Sequence, residues 1–169
     1  RESERSRGLG DVYKRQGRRA PLSPEAFAAV LRTKQFTNGA DAETVVGLYR
    51  QTATALLGSA RELEYEKLAW TPADYAHLGD ALRYCGALEK LELYKMDVGD
   101  ADMAAVVAGV AASGAALKKL RLLECTVLST LPKLSSLVAL KTLYLNGCSA
   151  LSALPELSSL VALKKLDLE

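Results

Sequence analysis

Residues 117–139, LKKLRLLECTVLSTLPKLSSLVA, recur without a gap as residues 140–162, LKTLYLNGCSALSALPELSSLVA, with 15 of 23 positions identical. A third copy opens at Leu163 as LKKLDLE and stops at Glu169. Upstream the same opening appears at Leu88 (LEKLELYKM), 29 residues before Leu117, and at Ala60 (ARELEYEKL), 28 residues earlier still. Five units therefore start at residues 60, 88, 117, 140 and 163. A chain built this way is restricted to architectures in which each unit packs on its neighbours, because one such unit cannot bury its apolar side alone.

Each unit begins L-x-x-L-x-L, and the L-x-L part alternates apolar and polar residues at strand spacing. The pairs are Leu63/Tyr65, Leu91/Leu93, Leu120/Leu122, Leu143/Leu145 and Leu166/Leu168. Stacked in parallel at about 4.8 Å, five such strands make a sheet whose inward leucines form continuous ladders. The first two units have room for a helix after the strand. In one, Thr71 and Pro72 stand at the cap and first helical position, and Gly86 follows the last turn. Tyr75, Leu78, Ala81, Leu82 and Cys85 share its inward stripe. In the other, Asp100 is the expected cap and Gly114 the stop. The 23-residue units lack that room, and the steps Leu131–Pro132 and Leu154–Pro155 favour extended backbone there.

The pattern resembles the leucine-rich-repeat family, in which L-x-x-L-x-L is followed by Asn or Cys at the ninth position. Cys125 and Cys148 occupy that position, while Leu68 and Met96 depart from it in the earlier units. The longer units resemble the ribonuclease-inhibitor-like subclass, and the 23-residue units the shorter plant-type and bacterial-type repeats. The resemblance covers residues 60–169 and implies an α/β fold: a leucine-rich-repeat solenoid with a concave parallel sheet. The general rule for strand–crossover–parallel-strand connections makes it right-handed. The resemblance also implies that Cys125 and Cys148 are small buried side chains at the turn after each strand.

Residues 20–59 have a different texture. Ser23, Pro24 and Glu25 read as the start of a helix with Phe27, Val30 and Leu31 on one side, TNGAD reads as a turn, and Asp41 caps a second helix to about Leu57 with Val45, Leu48, Tyr49, Leu56 and Leu57 as its apolar residues. This helical pair is expected to cap the exposed N-terminal cross-section of the solenoid. No such cap follows residue 163, so the native protein is expected to continue. Residues 1–19 hold seven Lys/Arg against three Asp/Glu and few apolar side chains, and read as a disordered or artefactual tail. RESERSRGLGDVYKRQ also looks like a translated sequencing adapter.

The 169 residues, 49% apolar and 25% charged, contain no run of 18 apolar residues, so no membrane-spanning segment is expected. Enzyme signatures are missing as well. His77 is the only histidine, three cysteines show no metal-ligand spacing, and Asp97, Asp100 and Asp102 lack the spacing of a calcium loop. No catalytic residue, cofactor or metal is assigned. Unpaired cysteines favour a cytoplasmic setting. Rows of lysine (Lys118, Lys141, Lys164 and Lys90, Lys119, Lys165) are interrupted by acids, and residues 20–169 are net acidic, which disfavours a nucleic-acid partner.

The expected function is that of a non-enzymatic interaction module, part of a larger receptor or regulator, that binds an unidentified protein on its concave face. Side chains between and just after the paired leucines point away from the core. That places Glu64, Glu92, Arg121, Tyr144 and Asp167 in one column of the concave face, and Glu66, Tyr94, Leu123, Asn146 and Glu169 in the next. Tyr94, Leu123 and Tyr144 form a diagonal of large side chains with Arg121 among them, and Tyr and Arg are the types enriched at interface hot spots. The alternative is a substrate-recognition or regulatory segment of a longer enzyme, such as a ubiquitin ligase, a kinase or a nucleotide-driven immune receptor.

Overall fold

A computed structural model describes residues 18–35 and 39–169. The expected tail lies outside the described residues up to position 17. Arg18 and Arg19 are already joined to the domain: the Trp70 indole N–H donates to Arg18 O at 2.6 Å, and Arg19 Nη1 lies 3.5 Å from Asp74 Oδ2.

The chain enters through two helices, α1 (Pro24–Arg32) and α2 (Gly39–Ser59). Ser23 Oγ accepts from Ala26 N at 3.1 Å, as its capping role predicts. Asp41, expected as the cap of α2, instead lies inside a first turn that begins at Gly39. Phe27 and Tyr49 stack with ring centroids 3.7 Å apart, and Tyr49 Oη donates to Leu22 O. Of the apolar stripe read on α2, only Leu57 is buried, together with Ala53, whereas Val45, Leu48 and Leu56 are exposed.

Strand β1 (Glu62–Glu66) follows, then helix α3 (Pro72–Leu82), strand β2 (Lys90–Tyr94), helix α4 (Asp100–Ser113) and strands β3 (Lys119–Leu123), β4 (Thr142–Tyr144) and β5 (Lys165–Asp167). The five strands form one sheet, parallel throughout and in chain order. Its register aligns Glu62, Lys90, Lys119, Thr142 and Lys165, and thus steps by 28, 29, 23 and 23 residues. Those steps equal the spacing of the sequence repeats. The fold is a mixed α/β arrangement of a five-stranded parallel sheet with four helices among the described residues. After β3 and β4 the chain makes turns and a single bridge, Thr130 to Ala153, with no helix.

Alternation along the strands builds the core. Leu63, Leu91, Leu120 and Leu143 align in one row, and Tyr65, Leu93 and Leu122 in the next, with Leu145 continuing it; all are buried. Each fully buried leucine contributes about 1.5–3 kcal/mol. The rows lose their cover at β5, where Leu166 is 39% and Leu168 53% exposed. Tyr75, Leu78, Ala81, Leu82 and Cys85 all enter the core, as their stripe predicts. At the β1 side Trp70 is wedged between Tyr65 and Tyr75, with centroids at 4.8 and 5.5 Å.

The helix starts show how the sheet is tied to its flanks. Thr71 and Asp74 make a reciprocal capping box on α3. Burial raises the Asp74 carboxyl, but hydrogen bonds from Thr71 and the Arg19 charge outweigh it and hold the group below its ordinary value. On α4 the cap is Gly99, whose N–H donates to Asp102 Oδ2 at 3.0 Å. Asp100, expected in that place, is the first residue of the helix. Its carboxylate accepts four bonds from the loop after β3: from Ser129 N and Oγ at 2.8 and 2.7 Å, and from Thr130 N and Oγ1 at 3.0 and 2.7 Å.

The Ser129 hydroxyl and the Thr130 amide, with their companions, hold the Asp100 carboxyl far below the usual carboxylate range. A group whose folded pKa is depressed contributes stability above its unfolded value of about 3.9 and loses it as pH falls towards the folded one. The Asp100→Ala variant therefore melts below the parent at about pH 7, and the gap closes progressively below about pH 4. Paired thermal melts across that range check it, and a gap that widens in acid would contradict the clamp.

Candidate protein-binding face

The sheet face turned away from the buried leucine rows carries the alternate side chains. The register brings Glu64, Glu92, Arg121, Tyr144 and Asp167 into one cross-strand column. Glu66, Tyr94 and Leu123 align in the second. Asn146 lies just past β4, where its carbonyl accepts from Glu124 N at 2.8 Å. Glu169 follows β5 and is exposed, whereas the other nine are half-buried.

Ion pairs run across the strands. Lys90 Nζ sits among three acids: it is hydrogen-bonded to Glu64, 3.3 Å from Glu92 Oε2 and 3.8 Å from Glu62 Oε2. Burial works against the ammonium charge, but Glu64 and Glu92 outweigh it and push the Lys90 pKa above its ordinary value. Arg121 Nη1 donates to Glu92 Oε2 at 2.8 Å. At the far side Asn146 Nδ2 donates to Asp167 Oδ1 at 2.8 Å, and Lys165 Nζ lies 3.2 Å from Asp167 Oδ2. Asn146 first and Lys165 second hold the Asp167 carboxyl below its usual range.

Both tyrosines are flanked by cations. Lys95 and Lys67 lie 5.2 and 5.7 Å from the Tyr94 ring centroid. Lys165 and Arg121 lie 4.7 and 5.2 Å from that of Tyr144. Such contacts contribute about 0.5–1 kcal/mol each at exposed sites and fix the ring planes. The cations belong to the face as much as the residues expected there. Lys90 and Lys165 were legible only as members of an interrupted lysine row. Lys67 and Lys95 had no signal beyond following each strand.

They follow it in an unusual backbone state. Lys67, Lys95 and Glu124 have φ of 50°, 52° and 51°, and the equivalent Gly147 has 72°. This left-handed residue ends the strand and turns the chain inward, at a cost of roughly 1–2 kcal/mol for each non-glycine. The next residue in every unit is then buried: Leu68, Met96, Cys125 and Cys148. Leu68 N donates to Met96 Sδ at 3.3 Å, and the thiols of Cys125 and Cys148 reach Leu93 O and Leu122 O at 3.5 and 3.3 Å.

Elsewhere, His77 is half-buried on α3. No group of three His, Cys, Asp or Glu among the described residues could hold a metal ion, and no helix among them is long and apolar enough to cross a membrane. Asp97, Asp100 and Asp102 are not gathered at one point: Asp100 is spent on Ser129 and Thr130, and Asp102 on the start of α4. No family model, curated protein or solved structure matches the chain.

Proposed function

We propose that the chain is a leucine-rich-repeat solenoid, right-handed and capped by α1 and α2. In this reading it is a non-enzymatic module that docks a protein partner across residues 92–146 of its concave sheet face. The observation that carries the reading is the pair of tyrosines, Tyr94 and Tyr144, each held between two cations on a face of internally paired charges. Tyrosine rings are amphipathic and have few rotatable bonds to freeze on binding, which suits them as anchors. Glu62, Glu64, Glu66 and Glu92 outnumber Lys90 on β1 and β2, so a basic stretch of the partner fits that end.

The experiment is a pull-down with the chain as bait, followed by titration of the captured partner. Tyr94→Ala and Tyr144→Ala each weaken binding by roughly 2 kcal/mol, about thirtyfold, in a chain that remains folded. Unchanged affinity in both variants, with binding abolished by substitutions around His77 on the helical side, would move the site off the sheet.

A further inference from the structure

Cys125 and Cys148 stand at equivalent places just past β3 and β4. The strand register carries through to them. Arg121 pairs with Tyr144, the Glu124 N–H donates to Asn146 O, and a Cβ built on Gly147 would lie 3.3 Å from Glu124 Cα. One residue further on, the two cysteines occupy adjacent rungs, which parallel stacking spaces at about 4.8 Å. A disulfide needs Cα atoms roughly 4.4–6.8 Å apart. Both thiols are free, on rungs whose spacing falls within that range.

The two sulfurs differ in access and acidity. Cys125 is fully buried, whereas Cys148 is 8% exposed and lines a surface cavity of about 250 Å³ with Leu145, Leu151 and Leu168. The neighbouring Cys125 thiol lowers the Cys148 thiol pKa against the opposing effect of burial. The same contact, with burial, raises that of Cys125. Cys85 supplies the contrast. It is fully buried in the core, its S–H faces only Ala81 O at 3.7 Å, and burial pushes its pKa up to about 12.

We propose that Cys125 and Cys148 form an oxidation site in which a peroxide converts the two thiols to an intramolecular disulfide, Cys148 being the sulfur attacked and Cys125 the one that resolves it. The Cys148 thiolate attacks one peroxide oxygen, an S–O bond forms and the O–O bond breaks. The departing hydroxide takes up the proton released by Cys148 and leaves as water. Sulfur has then lost two electrons to the peroxide and is a sulfenic acid. Cys125 sulfur next attacks Cys148 sulfur, the S–S bond forms, the S–O bond breaks and hydroxide leaves with the Cys125 proton as a second water. The bond joins the rung beneath Leu123 and Asn146, and it stands independently of any partner on the opposite face.

The test uses the whole chain, reduced, then treated with hydrogen peroxide, alkylated, digested with trypsin and mapped by mass spectrometry. The expected product has lost two hydrogens, joins the peptides Leu122–Lys133 and Thr142–Lys164, leaves Cys85 as a thiol, and reverts with dithiothreitol. Its melting temperature is at or above that of the reduced chain. In Cys125→Ser the crosslink disappears and dimedone traps Cys148. The proposal is overturned if Cys85 oxidises as fast as the pair or the crosslink joins two chains. It is equally overturned if Cys125 and Cys148 stay reduced in the folded parent while glutathione in the same tube is oxidised.

Discussion

Replacing Leu143 by alanine removes about 2–5 kcal/mol of stability. Leu143 is 0% exposed and sits between Leu120 and Leu166 in the register, so the deleted atoms leave a void that two neighbouring rungs line. The effect should not stay local. β5 pairs with β4 in the sheet, so a weakened β4 also loosens β5. Denaturant titration measures the loss, and amide hydrogen exchange in residues 163–169 should accelerate with it. The same change at Leu166, already 39% exposed, costs less. A Leu143→Ala chain that melts with the parent would contradict the assignment of this side chain to the buried row.

Gly109→Ala lowers stability although helix propensity alone favours the alanine by about 1 kcal/mol. Helices α3 and α4 cross where two glycines meet, and a Cβ on Gly109 would lie 2.1 Å from Gly79 O and 2.9 Å from Gly79 C. Those are backbone atoms and cannot swing aside, so the helices must part and uncover the side chains packed beneath them. Overpacking of this kind costs about 1–3 kcal/mol, occasionally more. Gly47 in α2 provides the control, since a Cβ there meets nothing within 4 Å. Gly47→Ala gains about 0.5–1 kcal/mol. Thermal melts of the two variants should move in opposite directions, and a shared upward shift would show that α3 and α4 are not in close contact.

Strand positions and the buried face were legible because they depend on short-range signals. Alternation across Leu91/Leu93 or Leu143/Leu145 assigns each side chain to a face, and the repeat spacing sets the register without knowledge of any contact. For the same reason the column Glu64, Glu92, Arg121, Tyr144, Asp167 follows from the repeat spacing alone. The sequence also marked the start of α3, at Thr71 and Pro72; the part of Asp74 in the cap emerged only from the structure.

The misplaced expectations share a cause. Asp100 has the composition of a helix cap, yet its carboxylate binds Ser129 and Thr130, 29 and 30 residues away. Val45, Leu48 and Leu56 have helical spacing, yet these three are exposed while Ala53 and Leu57 of α2 are buried. The sequence groups Arg121 with Tyr94 and Tyr144, but it does not place there the lysines that stand over both rings. By itself the sequence determined which residues alternate, where each strand begins and which unit follows which, since these are properties of windows a few residues long. Only the tertiary structure decided which charges neutralise one another, which rings are covered and how closely α3 approaches α4. Those contacts join residues that become neighbours only when the backbone returns one rung later, and their strength depends on distances of a few ångströms that no local pattern encodes.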